Sequence, residues 1–283
     1  MSGKDILREK NTLMTFEHKV ALVTGGGRGI GAATATVLAA RGARVAVNYL
    51  CNAQAAEGVV AAIQAAGGVA HAIQADVRDG QQVSRLVAEV LDTYGRLDIV
   101  VSNAAMRSRF APFEQMAWEE FAQRVNDELQ AAFRLTQAVL PVMTSQHYGR
   151  LVYLGSEHAN GPALPGSIAH GTAKAALVTF VRYLAVELGP RGITANIVSP
   201  GGVATEGSAA FLPAEIAQRM AATVPLGRLA RPEDIASVIA FFASDDSGFM
   251  TGTCAPVTGG AGIARGDPAF SMQGRFPARG TQE

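Results

Sequence analysis

Seven short runs rich in Val, Ile, Leu and Ala recur along the chain. They are Val20–Thr24 (VALVT), Arg44–Leu50 (RVAVNYL), Gly68–Gln74 (GVAHAIQ), Leu97–Asn103 (LDIVVSN), Arg150–Ser156 (RLVYLGS), Ile193–Pro200 (ITANIVSP) and Cys254–Gly260 (CAPVTGG). Near-continuous apolar strands of this kind are buried on both faces, as in a parallel sheet covered by helices. Between them lie alanine-rich stretches such as GIGAATATVLAARG and AQAAEGVVAAIQAAGG, each closing on a glycine that stops a helix. Strand and helix alternate about six times, which predicts an α/β fold: one doubly wound parallel sheet of about seven strands with helices on both faces.

With 283 residues, 48 % of them hydrophobic and 17 % charged, the chain can bury a sizeable core. The pattern predicts a single domain over residues 18–264. An N-terminal arm (1–17) and a C-terminal tail (265–283) show no clear period. Segment 204–225 inserts a small amphipathic helix after the sixth strand, where insertions cover the ligand crevice as a lid. Phe211, Leu212 and Met220 are candidates to line that cover or to pack within it.

Formal net charge is zero and no run of one sign occurs, which argues against nucleic-acid binding and against an acidic membrane surface. No apolar run approaches the roughly 18 residues of a membrane span, and the charged N-terminus lacks a signal-peptide core. Cys51 and Cys254 have no C-x-x-C spacing, so buried free thiols are expected, without a disulfide or zinc site, in a cytoplasmic setting.

The first strand runs directly into Thr24-Gly25-Gly26-Gly27-Arg28-Gly29-Ile30-Gly31, which opens the first helix. Glycines here allow a tight turn and a close backbone approach to a pyrophosphate, with helix N–H groups facing the anion. Strand, glycine loop and helix in that order point to dinucleotide binding and a Rossmann-type sheet. At the end of the second strand, a carboxylate would pair with the ribose 2′-hydroxyl and repel a 2′-phosphate. The chain has Asn48, Tyr49 and Leu50 there, and Arg28 supplies a guanidinium nearby, so NADP(H) is expected over NAD(H). Asp76, after the third strand, is placed to read an adenine amino group, to cap the next helix, or both.

These pieces resemble the short-chain dehydrogenase/reductase family over roughly Lys19 to Gly262, including its 3-oxoacyl-carrier-protein reductases and enoyl reductases. The matching residues are TGGGRGIG, RLDIVVSNAA, Asn126 in QRVNDELQAAF, Ser156, Lys174, the PGGVAT stretch from Pro200 to Thr205, and the closing VTGG. The resemblance implies that Thr24, Gly25, Arg28, Gly29, Ile30 and Gly31 hold the phosphates. It implies that Asp76 and Val77 meet the adenine, and Asn103 and Ala104 the adenosine ribose. It further implies that Lys174 binds the nicotinamide ribose, and that Pro200, Gly201, Val203 and Thr205 fix the carboxamide. Asn126 would help hold a proton-relay water and Ser156 would bond the substrate oxygen. A homotetramer or homodimer built on helices Phe113–Met143 and Ser167–Leu188 is implied as well.

Three departures stand out. The N-N-A-G pattern is Ser102-Asn103-Ala104-Ala105, the aspartate of V-D-G-G is Thr258, and the catalytic tyrosine four residues before the lysine is His170. Lys174 lies one helical turn from His170, and its positive charge lowers the imidazole pKa, so a neutral ring is expected near pH 7. A neutral imidazole donates a hydrogen bond but is a poor acid for a strongly basic alkoxide. An enolate from hydride addition to a conjugated C=C demands less, and Ser156 with His170 could hold it. Enoyl reductases that place their tyrosine seven residues before the lysine are not matched either, since that position is Ser167.

The expected activity is therefore NADPH-dependent reduction of a small conjugated carbonyl compound, an acyl thioester or cyclic enone, at C=C. Carbonyl reduction with His170 as proton donor, or a non-catalytic cofactor-binding scaffold, are the alternatives. Tyr148 and Tyr153 are expected to pack. His18, His71, His147 and His158 show no metal-ligand spacing, although His158 follows Ser156 by two and can reach the crevice.

Overall fold

The computed structural model describes residues 15–106, 108–159, 161, 164–209 and 213–263. Strands β1 (Val20–Val23), β2 (Arg44–Tyr49), β3 (Val69–Gln74), β4 (Ile99–Ser102), β5 (Gly149–Leu154), β6 (Ile193–Pro200) and β7 (Cys254–Val257) form one sheet. Its order is β3-β2-β1-β4-β5-β6-β7 and every pairing is parallel. Between the strands run helices α1 (Gly29–Ala40), α2 (Ala53–Ala65), α3 (Gly80–Tyr94), α4 (Trp118–Gln146), α5 (Ile168–Leu188), α6 (Glu206–Ala209), α7 (Ala214–Ala222) and α8 (Pro232–Ala243).

Successive side chains of a strand point to opposite faces, and β1 shows why its apolar run is unbroken. Val20 and Leu22 enter a layer with Leu86 of α3, Leu135 of α4 and Leu177 of α5. Ala21 and Val23 enter the opposite layer with Leu38 of α1 and Ile235 and Ile239 of α8. Both faces of the sheet are therefore dry, and the architecture is the three-layer doubly wound fold that the alternation predicts.

Four expectations need correction. Phe16 was assigned to the arm, yet it is 1 % exposed within the α1/α8 layer, and its N–H donates to Arg41 O at 2.7 Å. The domain therefore begins before residue 18; a lone anchoring aromatic carries no periodic signal. Insertion 204–225 holds two short helices, α6 and α7, in place of one. Its Phe211 and Leu212 lie outside the described residues, as does the tail 265–283, whereas Met220 is partly exposed with its methyl group beside Gly202. Cys51, expected buried, is exposed because β2 ends at Tyr49, and Cys254 is partly exposed. The fourth helix starts at Trp118, after a separate 3-10 turn at Phe113–Gln115. No helix of the described residues is long and apolar enough to cross a membrane.

The chain leaves β1 toward β2 on one side and returns to β4 on the other, so a crevice opens at the carboxyl ends of β1 and β4. Thr24 ties its two lips together. The buried hydroxyl donates to Val101 O (3.2 Å) and accepts from the N–H groups of Asn103 (2.9 Å) and Ala104 (3.1 Å). A Thr24→Val variant keeps the shape and removes that acceptor. It is expected to lose about 2 kcal/mol, the scale of one buried unsatisfied polar group, and to melt about 4 to 8 °C lower for a domain of this size. Thermal unfolding followed by circular dichroism measures the loss.

Candidate active site

The glycine loop lies at the crevice with its backbone exposed to a ligand. Gly25 and Gly29 hold φ values of 61° and 53°, in the left-handed region where a side chain is strained. A Cβ at Gly31 would collide with the Gly25 carbonyl and with Asn103 Nδ2, so only glycine fits. The first intrahelical bond of α1 runs from Ala32 N to Arg28 O, which leaves the preceding N–H groups of Gly29, Ile30 and Gly31 without helical partners. Arg28, at the cap position, is exposed and makes no side-chain cap. An uncapped helix N-terminus behind a glycine-rich loop fits a dinucleotide pyrophosphate, and these residues would hold it.

The other expected cofactor residues divide into two groups. Ile30, Ala104 and Gly201 border the crevice partly exposed, and Thr205 stands so close to Gly29 that a Cβ there would touch it at 3.4 Å. Pro200 ends β6, and Val203 bridges to Ala230, which pins the PGGVAT stretch to the sheet end. In the second group the side chains are engaged in the scaffold. Asn48 is 2 % exposed. Its amide donates to Ile73 O and Ala75 O of the β3 end, while its oxygen accepts from Gly25 N, so it cannot also face a ribose phosphate. Tyr49 packs against the α1/α8 layer and Val77 is buried on the other face.

Asn103 donates through Nδ2 to Thr24 O and Gly25 O, shaping the loop from behind. Asp76 does not cap α3; Asp79 does, accepting from Gln81 N (2.8 Å) and Gln82 N (3.1 Å). The Asp76 carboxylate is instead held by Arg78 through Nε (3.0 Å) and Nη2 (2.8 Å), hydrogen bonds that keep it below the usual carboxylate range.

His170 and Lys174, the expected catalytic side chains of α5, meet side chains of α4, and Asn126 is not among them. Asn126 is exposed on the outer side of α4. Glu128 lies two residues on, about 200° around the helix, and faces inward. Its Oε1 accepts from Lys174 Nζ at 2.8 Å, and its Oε2 lies 2.7 Å from Arg124 Nη1, an ion pair whose angle is off-line for a hydrogen bond. Lys174 Nζ also donates to Leu154 O (2.7 Å) at the end of β5, so the ammonium retains one further proton to donate. Glu128, Arg124 and Lys174 are 6 %, 4 % and 7 % exposed. Burial pushes the Glu128 carboxyl up, but the two cations outweigh it and hold the group below its usual range.

His170 sits one turn before Lys174. Arg124 Nη2 is 3.2 Å from its Nδ1, and its ring is edge-on to His158 at 5.5 Å and tilted against Phe110 at 6.2 Å between centroids. Burial first, then Lys174, Arg124 and His158, push its pKa down to about 4, with only Glu128 opposing. The ring is therefore neutral at pH 7, as the lysine alone suggests, although burial contributes more than the lysine. Ser156 lies at the mouth, its Oγ accepting from His158 N at 3.3 Å. Tyr153 is buried against Thr136 (2.6 Å) and Tyr148 bonds Asp245 (2.8 Å), so both tyrosines pack, as expected. Arg124 and Glu128 escape a sequence reading, although their i, i+4 spacing on α4 matches that of His170 and Lys174 on α5.

The depressed His170 pKa links stability to pH. Below pH 6.5 the unfolded chain takes up a proton on this ring, while the folded ring stays neutral to about pH 4, so stability falls as pH drops through that window and is unaffected above it. His170→Gln keeps an acceptor for Arg124 and does not titrate. Its urea midpoint is expected to fall less than the wild-type midpoint between pH 7 and pH 4.5; equal falls would refute the linkage.

A family model described as enoyl-(acyl carrier protein) reductase matches residues 25–262. A hydroxynaphthalene reductase-like protein Arp2 from Metarhizium majus is 40 % identical over 264 residues, covering 89 % of this chain and 98 % of that relative. A 3-oxoacyl-[acyl-carrier-protein] reductase from Synechocystis is 38 % identical over 243 residues, covering 86 % and 96 %. Among solved structures, a dehydrogenase/reductase from Sinorhizobium meliloti superposes with a TM-score of 0.82 at 36 % identity, covering 90 % of this chain and 99 % of that one. Levodione reductase superposes at 0.83 and 31 % identity, covering 88 % and 99 %. With its parallel sheet, glycine cradle and crevice lysine, the chain belongs to the short-chain dehydrogenase/reductase family and is an oxidoreductase that works with a nicotinamide cofactor.

Proposed function

We propose that the protein is an NADP(H)-dependent reductase of small conjugated carbonyl compounds, in which Ser156 and His170 hold the substrate oxygen as an enolate. The observation that carries this is His170 itself: a neutral imidazole flanked by cations, able to donate a hydrogen bond through its one N–H but without the second, acidic ring proton at pH 7. A bound nicotinamide would supply the hydride to the β-carbon, and solvent water the proton that the α-carbon takes up as the enolate collapses. Lys174 would bind the nicotinamide ribose through its one remaining donor, and its charge, with that of Arg124, favours negative charge on the substrate oxygen. Asn126 has no place in this scheme, since its side chain is on the outer side of α4.

Preference for NADP(H) is supported by the exposed Arg28 and by the lack of a carboxylate at the β2 end, where Leu50 is 47 % exposed and Cys51 is exposed. Phe133, Tyr183 and Val186 leave exposed apolar surface on α4 and α5, which supports assembly of copies through those helices. Direct carbonyl reduction is the second reading, favoured by the likeness to a hydroxynaphthalene reductase-like protein and a 3-oxoacyl-[acyl-carrier-protein] reductase.

Calorimetric titration is expected to show tighter binding of NADPH than of NADH, and Arg28→Gln should weaken NADPH about tenfold, the scale of one charge-assisted hydrogen bond, with NADH little changed. Equal affinities would sink the cofactor assignment. With deuterated NADPH and paired cyclic enones and ketones, deuterium is expected at the β-carbon of the enone. Label at the carbinol carbon establishes the carbonyl reading, and tight NADPH binding with neither turnover establishes the scaffold reading. His170→Tyr is expected to raise turnover of saturated ketones relative to enones.

A further inference from the structure

The side chains between α4 and α5 form two rungs. Arg124 meets His170 and, one turn further along both helices, Glu128 meets Lys174; each pair is separated by 46 residues in sequence. Arg124 is the least exposed member and belongs to both rungs, since its other terminal nitrogen reaches Glu128. A guanidinium has five donors and no acceptor and stays protonated, so in its contact with His170 the imidazole Nδ1 can only accept. A neutral ring accepting at Nδ1 carries its proton on Nε2. Among the described residues Nε2 has no hydrogen-bond partner, and it is not one of the buried unpartnered atoms, so it keeps exposed surface.

We propose that Arg124 is a positioning residue that fixes His170 as the Nε2–H tautomer and turns that N–H toward the substrate oxygen, so that residues 124 and 170 work as one unit. This rests on the proposed reductase role for its effect on turnover, but the tautomer does not depend on it. A tyrosine hydroxyl rotates to suit its partner, whereas an imidazole has two unlike nitrogens and needs a neighbour to choose between them. Every charged or titratable group facing the ring takes part. Arg124 selects the acceptor nitrogen; Lys174 and His158 disfavour a second proton on the ring. Glu128 balances one of the two cations.

The test reads the ring directly. Nitrogen-15 spectra of the histidine-labelled full chain, without substrate, are expected to give Nε2–H for His170 in the wild type. Arg124→Met, which fills the space and donates nothing, should give mixed tautomers. Arg124→Gln, which still offers an N–H₂, should restore Nε2–H. On a turned-over enone, kcat is expected to fall about tenfold or more in the Met variant, with KM within about threefold, and to recover in the Gln variant; tenfold corresponds to about 1.4 kcal/mol. Nδ1–H in the wild type, or Nε2–H retained in Arg124→Met, overturns the proposal whatever the activity. If the Met variant does not fold, the wild-type and Gln spectra still decide it, because Nδ1–H in either contradicts the assignment. Loss of tautomer control without any reductase activity on conjugated carbonyls leaves the positioning role standing and refutes the proposed function.

Discussion

Glu128 carries a negative charge into the interface of α4 and α5, where little water reaches it. Taking a carboxylate out of water costs several kcal/mol, and the cost is offset only when opposite charges meet it at close range. Arg124 and Lys174 do so, at 2.7 and 2.8 Å. The dependence runs both ways. Without the carboxylate, two buried cations would face one another beside His170, and the Lys174 ammonium would have only the Leu154 carbonyl to hold it. The cluster as built keeps a net charge of one positive unit next to a neutral imidazole, an environment that favours negative charge on a bound oxygen.

A second set of polar groups keeps the crevice open. Thr24, Asn48 and Asn103 are buried at the ends of β1, β2 and β4, and each engages backbone groups of a neighbouring strand or of the glycine loop. Their work is to satisfy the sheet end from within. As a result the loop backbone needs no side chain of its own on the ligand side, and the first N–H groups of α1 remain unpartnered in the crevice. The residues that hold the loop and the residues that face a ligand are therefore largely different sets, although they are close in sequence.

Much of this was legible before any coordinates. Apolar strands, glycine-closed helices and the glycine loop follow local rules, and the structure realises the strands with shifts of up to three residues at the ends. The placement of His170 and Lys174 one turn apart on a helix was equally plain. The α4 face was not. Asn126 and Glu128 are two residues apart, and on a helix two residues reverse the direction of a side chain. A small error of register therefore exchanges an exposed asparagine for a buried carboxylate. Asp76 was a candidate to cap α3, and the backbone path gives that role to Asp79.

By itself the sequence determined the class of fold, the glycine loop between β1 and α1 and the one-turn spacing of His170 and Lys174, because each depends on periodicity or on spacing within one helix or turn. Tertiary structure decided what surrounds that pair. Arg124 and Glu128 meet His170 and Lys174 across 46 residues of chain only because α4 and α5 pack side by side with matching turns facing. Burial, which contributes most to keeping the imidazole neutral, is likewise a property of the packed helices and of no local segment.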